Sequence, residues 1–140
     1  MLEVKLSKAT SEDLTKIAHY AKLLKLDVSP TNEDTYTVAK INSQIVGFVR
    51  EKTHDDSVEL STLGVMPDYQ NKSIGRLLIK DFIEKTSATT IYIVTVIPNY
   101  FEKAGFRSTC NYPISLKEKK EDCKNTCNTS QVSVMLFKTH

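Results

Sequence analysis

The segment VMPDYQNKSIGRLLIKDF, residues 65–82, decides how the chain is read. Val65 closes a run of strand-compatible residues, Pro67 and Asp68 make a turn, and from Ile74 the apolar residues Ile74, Leu77, Leu78 and Phe82 recur at helical spacing. A strand therefore passes into a helix through the loop Gln70-Asn71-Lys72-Ser73-Ile74-Gly75-Arg76. Backbone N–H groups at a helix start hold anions with help from the helix dipole, and a loop that turns successive N–H groups inward deepens the cradle. Lys72 and Arg76 add positive charge, and Gly75 supplies one position without a side chain. The spacing is neither that of a Walker loop nor that of the three-glycine dinucleotide fingerprint. Taken alone, the segment is a one-glycine helix start with a weak case for a phosphate cradle.

Upstream, EVKLSKA (3–9) alternates and suits an edge strand, and TSEDLTKIAHYAKLL (10–24) predicts a helix. Thr10 or Ser11 can cap that helix, Glu12 and Asp13 favour its dipole, and Leu14, Ile17, Ala18, Ala21 and Leu24 share one face. DVSPTNED (27–34) breaks the pattern. Three strands follow, TYTVAKI (35–41), QIVGFVREKT (44–53) and SVELSTLGVM (57–66). The short polar connections Asn42-Ser43 and His54-Asp55-Asp56 make them antiparallel hairpins.

Downstream, helix signals continue to about Ser87, and the β-branched run ATTIYIVTVI (88–97) reads as a central strand covered on both faces. Strand, helix and strand in this order imply a right-handed crossover with parallel pairing. NYFEKAGF (99–106) is a short helix ended by Gly105, LKEKKEDCKN (116–125) a solvated loop or short helix, and SQVSVMLFKT (130–139) a closing alternating strand.

The chain has 140 residues, 40% hydrophobic and 26% charged, which suits one domain with its own core. A net charge of +2 is too mild to argue for nucleic acid. The longest apolar run, IYIVTVI (91–97), falls far short of the ~20 residues that span a bilayer. The N-terminal residues lack a signal-peptide core, so a cytoplasmic protein is expected, without nucleic-acid or membrane partners. Cys110, Cys123 and Cys127 are an odd set, and the C-x3-C pair offers too few ligands for a closed zinc site, so no metal is expected. His54 lies in a turn and reads as solvated, while Phe48 and Tyr92 read as core. Arg50 reads equally as a surface residue and as a bidentate partner for a carboxylate.

The order of these parts resembles the GNAT N-acetyltransferase superfamily. Val65-Met66-Pro67 followed by Gln70 to Gly75 is similar to the family's V-x-P strand end and Q/R-x-x-G-x-G/A loop, with Ser73 in place of the first glycine. Tyr100 to Phe106, YFEKAGF, is similar to its later aromatic signature, and the likeness in element order covers nearly the whole chain. The layout most resembles short N-acetylglutamate-synthase-like and arsenic-resistance N-acetyltransferases. The resemblance implies an α/β (α+β) fold, with a mixed, mostly antiparallel central sheet of six to seven strands flanked by about four helices. It implies a single acetyl-CoA-binding domain over 1–140, monomeric or homodimeric.

It further implies transfer of an acetyl group from acetyl-CoA, the co-substrate, to a primary amine of a small molecule, an amino acid among the candidates. Gln70, Asn71, Lys72, Ser73, Ile74, Gly75 and Arg76 would hold the CoA pyrophosphate. Leu63, Gly64 and Val65 would meet the pantetheine arm through their backbones, and strands four and five would splay to admit the thioester. Glu59 matches the position of the family's general base, the alternative being a polar strand residue. Phe101 stands where many relatives carry a tyrosine acid, so Tyr100 is the candidate acid and Phe101 a cofactor contact, with Thr95 in place of a frequent asparagine. The demand on Ser73 is that it avoid positive φ. Two other readings stay open: a non-catalytic acetyl-CoA-binding sensor, which the Ser73 and Phe101 departures favour, and a protein or peptide N-acetyltransferase.

Overall fold

The computed structural model describes residues 3–26, 35–114, 116 and 132–139. The connection 27–34, most of the charged segment 116–125, and Cys123 and Cys127 lie outside the described residues. Strands β1 (Lys5–Lys8), β2 (Tyr36–Ile41), β3 (Gln44–Thr53), β4 (Val58–Val65), β5 (Thr90–Thr95), β6 (Arg107–Ser108) and β7 (Ser133–Lys138) form a seven-stranded sheet in the order β1-β2-β3-β4-β5-β7-β6. Helix α1 (Ser11–Leu23) follows β1, α2 (Ile74–Lys85) joins β4 to β5, and α3 (Pro98–Glu102) follows β5. The described residues thus hold three α-helices and a 3-10 turn at Pro67–Tyr69. The sheet is mostly antiparallel with one parallel pair, β4 with β5, as a strand-helix-strand unit requires. The fold class stands as expected, with slightly fewer helices.

By contacts the chain divides into two compact units, Met1–Glu51 with Thr62–Lys85, and Lys52–Ser61 with Thr86–His140. In the first, α1 begins at a capping box: the Asp13 N–H donates to Thr10 Oγ1 at 3.2 Å and the Thr10 N–H to Asp13 Oδ2 at 2.9 Å. Asp13 is buried rather than solvated in the first turn, and its carboxylate meets Lys40 Nζ on β2 at 3.1 Å. Ile17 and Ala21 pack with Tyr36, Val38, Ile45 and Phe48. The Asn42-Ser43 turn between β2 and β3 has φ +51° and +68°, the pair of left-handed residues that suits a two-residue hairpin. A β-bulge between Ala39 and Lys40 shifts the rest of that ladder by one residue and brings Arg50 opposite Tyr36.

Helix α2 buries Ile74, Gly75, Leu78, Ile79 and Phe82. Leu77, expected on the core face, is 41% exposed, because the buried stripe runs through Gly75 and Ile79 instead.

In the second unit, two expectations exchange places. β5 alternates between half-buried and buried residues, with Ile91, Ile93 and Thr95 buried and Tyr92 only half-buried. β7, expected to alternate, buries Val134, Met135 and Leu136 in succession. β7 lies between β5 and the short β6, a strand too brief to stand out in sequence, so β7 is an interior strand and not the sheet edge. Phe101, Phe106 and Phe137 form a run of ring contacts at 5.8 and 5.4 Å between centroids. Gly105, at φ +102°, turns the chain where an added Cβ would stand 2.8 Å from the Phe137 ring. Among the described residues no helix is long and apolar enough to cross a membrane, and no group of three His, Cys, Asp or Glu side chains gathers as a metal site would require.

Candidate active site

The loop after β4 is built from its own backbone. The Tyr69 N–H donates to the Met66 carbonyl at 2.8 Å, and the Gln70 side-chain amide reaches back to the Val65 carbonyl at 3.0 Å. Gln70 thus ties the loop to the strand end. Asn71 and Ser73 both adopt left-handed backbone, φ +63° and +65°, with Lys72 between them on the ordinary side. The expectation that Ser73 avoids positive φ is therefore overturned. The chain must curl at the place where relatives carry glycine, and serine takes the glycine conformation. The Leu77 N–H donates to the Ser73 carbonyl at 3.0 Å, the first bond of α2. A helix leaves N–H groups of its first turn without intrahelical partners, and Ile74 and Gly75 stand in that turn. Asn71, Lys72, Ser73 and Arg76 are exposed, whereas Ile74 and Gly75 are buried in the first turn. Alternating left-handed residues ahead of a helix N-terminus form the kind of concavity that takes an anion. Exposed Lys72 and Arg76 give this concavity positive charge.

In the same unit, β4 ends in half-buried Leu63 and Val65, with Gly64 buried between them. A Cβ at Gly64 would stand 2.7 Å from the Phe48 ring, so glycine here serves packing. Tyr36 is 1% exposed, and neither its hydroxyl nor Arg50 Nε, both buried, has a hydrogen-bond partner among the described residues. The Arg50 guanidinium lies 5.8 Å from the centre of the Tyr36 ring. Burial pushes the Tyr36 hydroxyl above its usual value of 10.0 while Arg50 pulls the other way, so the group is a neutral donor at pH 7. Two buried donors without partners are an unusual feature in a folded protein.

The second unit holds the candidate base and acid. Glu59 is fully buried, and its Oε1 lies 2.7 Å from His54 Nε2. The reading of His54 as a solvated turn residue is thus overturned, and its side chain is 14% exposed. The turn explains this: the His54 N–H donates to the Ser57 carbonyl at 2.8 Å, which folds the ring back toward β4. The parallel ladder pairs Val58 with Ile91 and Glu59 with Tyr92. Thr95 is buried, and its hydroxyl accepts from the Ile97 N–H at 2.9 Å, closing the turn into α3. Phe101 is 4% exposed and packs against Phe106, so its ring belongs to the core, while Tyr100 is half-buried against the Phe101 edge.

The sequence pattern missed His54 as a partner and Tyr36 altogether. A histidine and a glutamate straddling a tight turn was the one available signal for the first. For the second there was none, because the bulge that pairs Tyr36 with Arg50 leaves no mark in composition.

Among solved structures, the chain is similar to N-acetylglutamate synthase from Neisseria gonorrhoeae in complex with coenzyme A and N-acetyl-glutamate, at 17% identity and a TM-score of 0.79 over 99% of this chain. It spans about a third of the length of that protein, 35%. It is similar to Rv2747 from Mycobacterium tuberculosis in complex with CoA and NLQ, at 16% identity and TM-score 0.76, covering 96% of this chain and 98% of that one. It is similar too to the ribosomal-protein-S18-alanine N-acetyltransferase of Escherichia coli, at 17% identity and TM-score 0.69, covering 98% and 94%. At these identities the likeness is one of fold. The family described as acetyltransferase (GNAT) domain matches residues 32–108, more than half of the chain. With that match, over the stretch that carries the hairpins, the curled loop and the buried glutamate, the chain belongs to the GNAT acetyltransferase family.

Proposed function

We propose that residues 1–140 act as one acetyl-CoA-dependent N-acetyltransferase domain whose acceptor is a small amine carrying a carboxylate, the chemistry of an amino acid. Family membership supports the transfer. The acceptor class rests on one observation: Tyr36 Oη and Arg50 Nε are buried donors without hydrogen-bond partners among the described residues. A carboxylate would satisfy both, and guanidinium binds that group in two-point fashion. N-acetyl-glutamate in the similar synthase agrees with such an acceptor.

When bound, acetyl-CoA supplies an activated acyl group with a weakly basic leaving group. The curled loop Gln70 to Arg76 holds its pyrophosphate through backbone N–H groups, which leaves the Ser73 side chain free of any required contact. Backbone N–H groups at the end of β4, near Val65, polarise the acyl carbonyl. Glu59 takes the proton of the attacking amine, and Tyr100 is the one candidate donor toward the departing sulfur, since Phe101 carries no proton.

The test is thiol release from acetyl-CoA with free amino acids, polyamines and short peptides as acceptors. Turnover with amino acids, lost when the acceptor carboxylate is amidated, is the expected result. Preference for a peptide N-terminus would move the reading to protein acetylation. Tight acetyl-CoA binding without turnover on any acceptor would make the domain a sensor.

A further inference from the structure

Acetylation of an amine at neutral pH leaves a proton over. An ammonium R–NH3+ becomes an amide as the C–N bond forms. The C–S bond breaks with its electron pair going to sulfur. Of the two protons the nitrogen gives up, sulfur takes one and solvent must take the other. Glu59, the proposed base, is fully buried. A carboxyl without solvent contact can accept a proton but cannot pass it directly to water. His54 Nε2 is in hydrogen-bond contact with its Oε1 at 2.7 Å, and His54 keeps 14% of its side chain exposed.

We propose that His54 is the proton exit of Glu59. It is a positioning residue that orients the carboxylate and conducts its proton to solvent each cycle. This rests on Glu59 being the base. Imidazole suits the task because its two nitrogens are separate sites: Nε2 accepts from Glu59 Oε1 while Nδ1 releases its own proton to water. A turn of the ring about its Cβ–Cγ bond then carries the Nε2 proton to water and restores the starting tautomer, so no net charge stays in the interior. The backbone bond from His54 N–H to the Ser57 carbonyl at 2.8 Å fixes the turn that carries the ring. Within this unit, the other ionisable groups on the elements that meet the pair are half-buried Lys52 at the end of β3, exposed Asp55 and Asp56 in the turn, and half-buried Tyr92, which pairs with Glu59 across the ladder.

A purely structural bond and a proton exit differ in what replaces them. In His54→Gln the amide can still donate to Glu59 but cannot relay a proton. At saturating substrates its turnover should fall about tenfold or more, with KM for acceptor and acetyl-CoA nearly unchanged. Added imidazole, as a small soluble carrier, should restore the rate in proportion to its concentration, while the wild type ignores it. His54→Asn serves in its place if the glutamine variant does not fold. Wild-type turnover in either variant, or a deficit that imidazole leaves untouched, overturns the proposal. A readout independent of activity is the His54 15N imidazole spectrum, assigned by its loss in His54→Gln. Glu59→Gln should shift the Nε2 resonance, and an unmoved resonance overturns the pairing. If the wild type acetylates nothing, the functional reading fails and this spectrum still decides the pair. If the wild type is active and Glu59→Gln is as well, Glu59 is not the base and the exit falls with it.

Discussion

The Leu77 N–H donates to the Ser73 carbonyl at 3.0 Å, so Ser73 opens α2 while its own φ stands at +65°. A side chain in left-handed backbone is strained by about 1–2 kcal/mol. Ser73→Gly removes that strain and gives back part of it as chain entropy in the unfolded state. The net expectation is a gain of about 0.5–1 kcal/mol in denaturant unfolding. The acetyl-CoA dissociation constant should stay the same or fall. A large loss of binding would show that the Ser73 side chain, and not the backbone alone, holds the ligand.

Gly64 lies against a ring that cannot retreat. Its added Cβ would stand 2.7 and 3.0 Å from two Phe48 ring atoms and 3.1 Å from Leu24, and Phe48 is wholly buried. Gly64→Ala should therefore destabilise by about 1–3 kcal/mol through overpacking. Thermal unfolding reads this directly, and a melting temperature equal to wild type would mean that β4 shifts freely at this point.

Tyr36→Phe separates stability from binding. Removing a buried hydroxyl that has no partner among the described residues should leave the free protein as stable or stabilise it by about 1 kcal/mol. The same change should raise KM for a carboxylate-bearing acceptor several-fold at unchanged KM for acetyl-CoA. Arg50→Lys, which loses the planar fork, should raise acceptor KM by about tenfold. If both variants leave acceptor KM untouched, the carboxylate lies elsewhere.

Asp13 gives the first unit an acid limit. Burial pushes its carboxyl up, but the Thr10 backbone bond and the Lys40 ammonium outweigh that and hold it below the usual 3.8. The folded chain thus binds this proton less readily than the unfolded chain does. The stabilisation is fully present above pH 3.8 and fades as pH falls through the lower folded value. Asp13→Asn should cost roughly 1–2 kcal/mol at pH 7. The gap to wild type should close in urea titrations carried below the folded value.

How far sequence alone reached depends on whether the cause is local. The Asn42-Ser43 hairpin, the α1 cap and the strand that runs Gln44–Thr53 are set by neighbouring residues, and they stand where the pattern puts them. Burial across the sheet is not local. β5 and β7 exchanged their expected patterns, and the two-residue β6 that makes β7 an interior strand is too short to read from sequence. Motif order singled out the loop and Glu59 as candidates. His54 was misjudged because a turn residue's exposure depends on which way the turn closes. Phe101 packs its ring against Phe106, a contact set by where the chain re-enters the sheet.

The two left-handed residues at Asn42 and Ser43 also bear on the order of folding. They let β2 and β3 meet across a two-residue loop, the shortest closure in the described sheet, and a hairpin of this kind forms in about 1–10 μs. β5 must instead find β7 from more than thirty residues away, at a larger loss of chain entropy. The β2–β3 hairpin is thus the natural seed of the first unit, and the bulge that turns Arg50 toward Tyr36 is laid down with it.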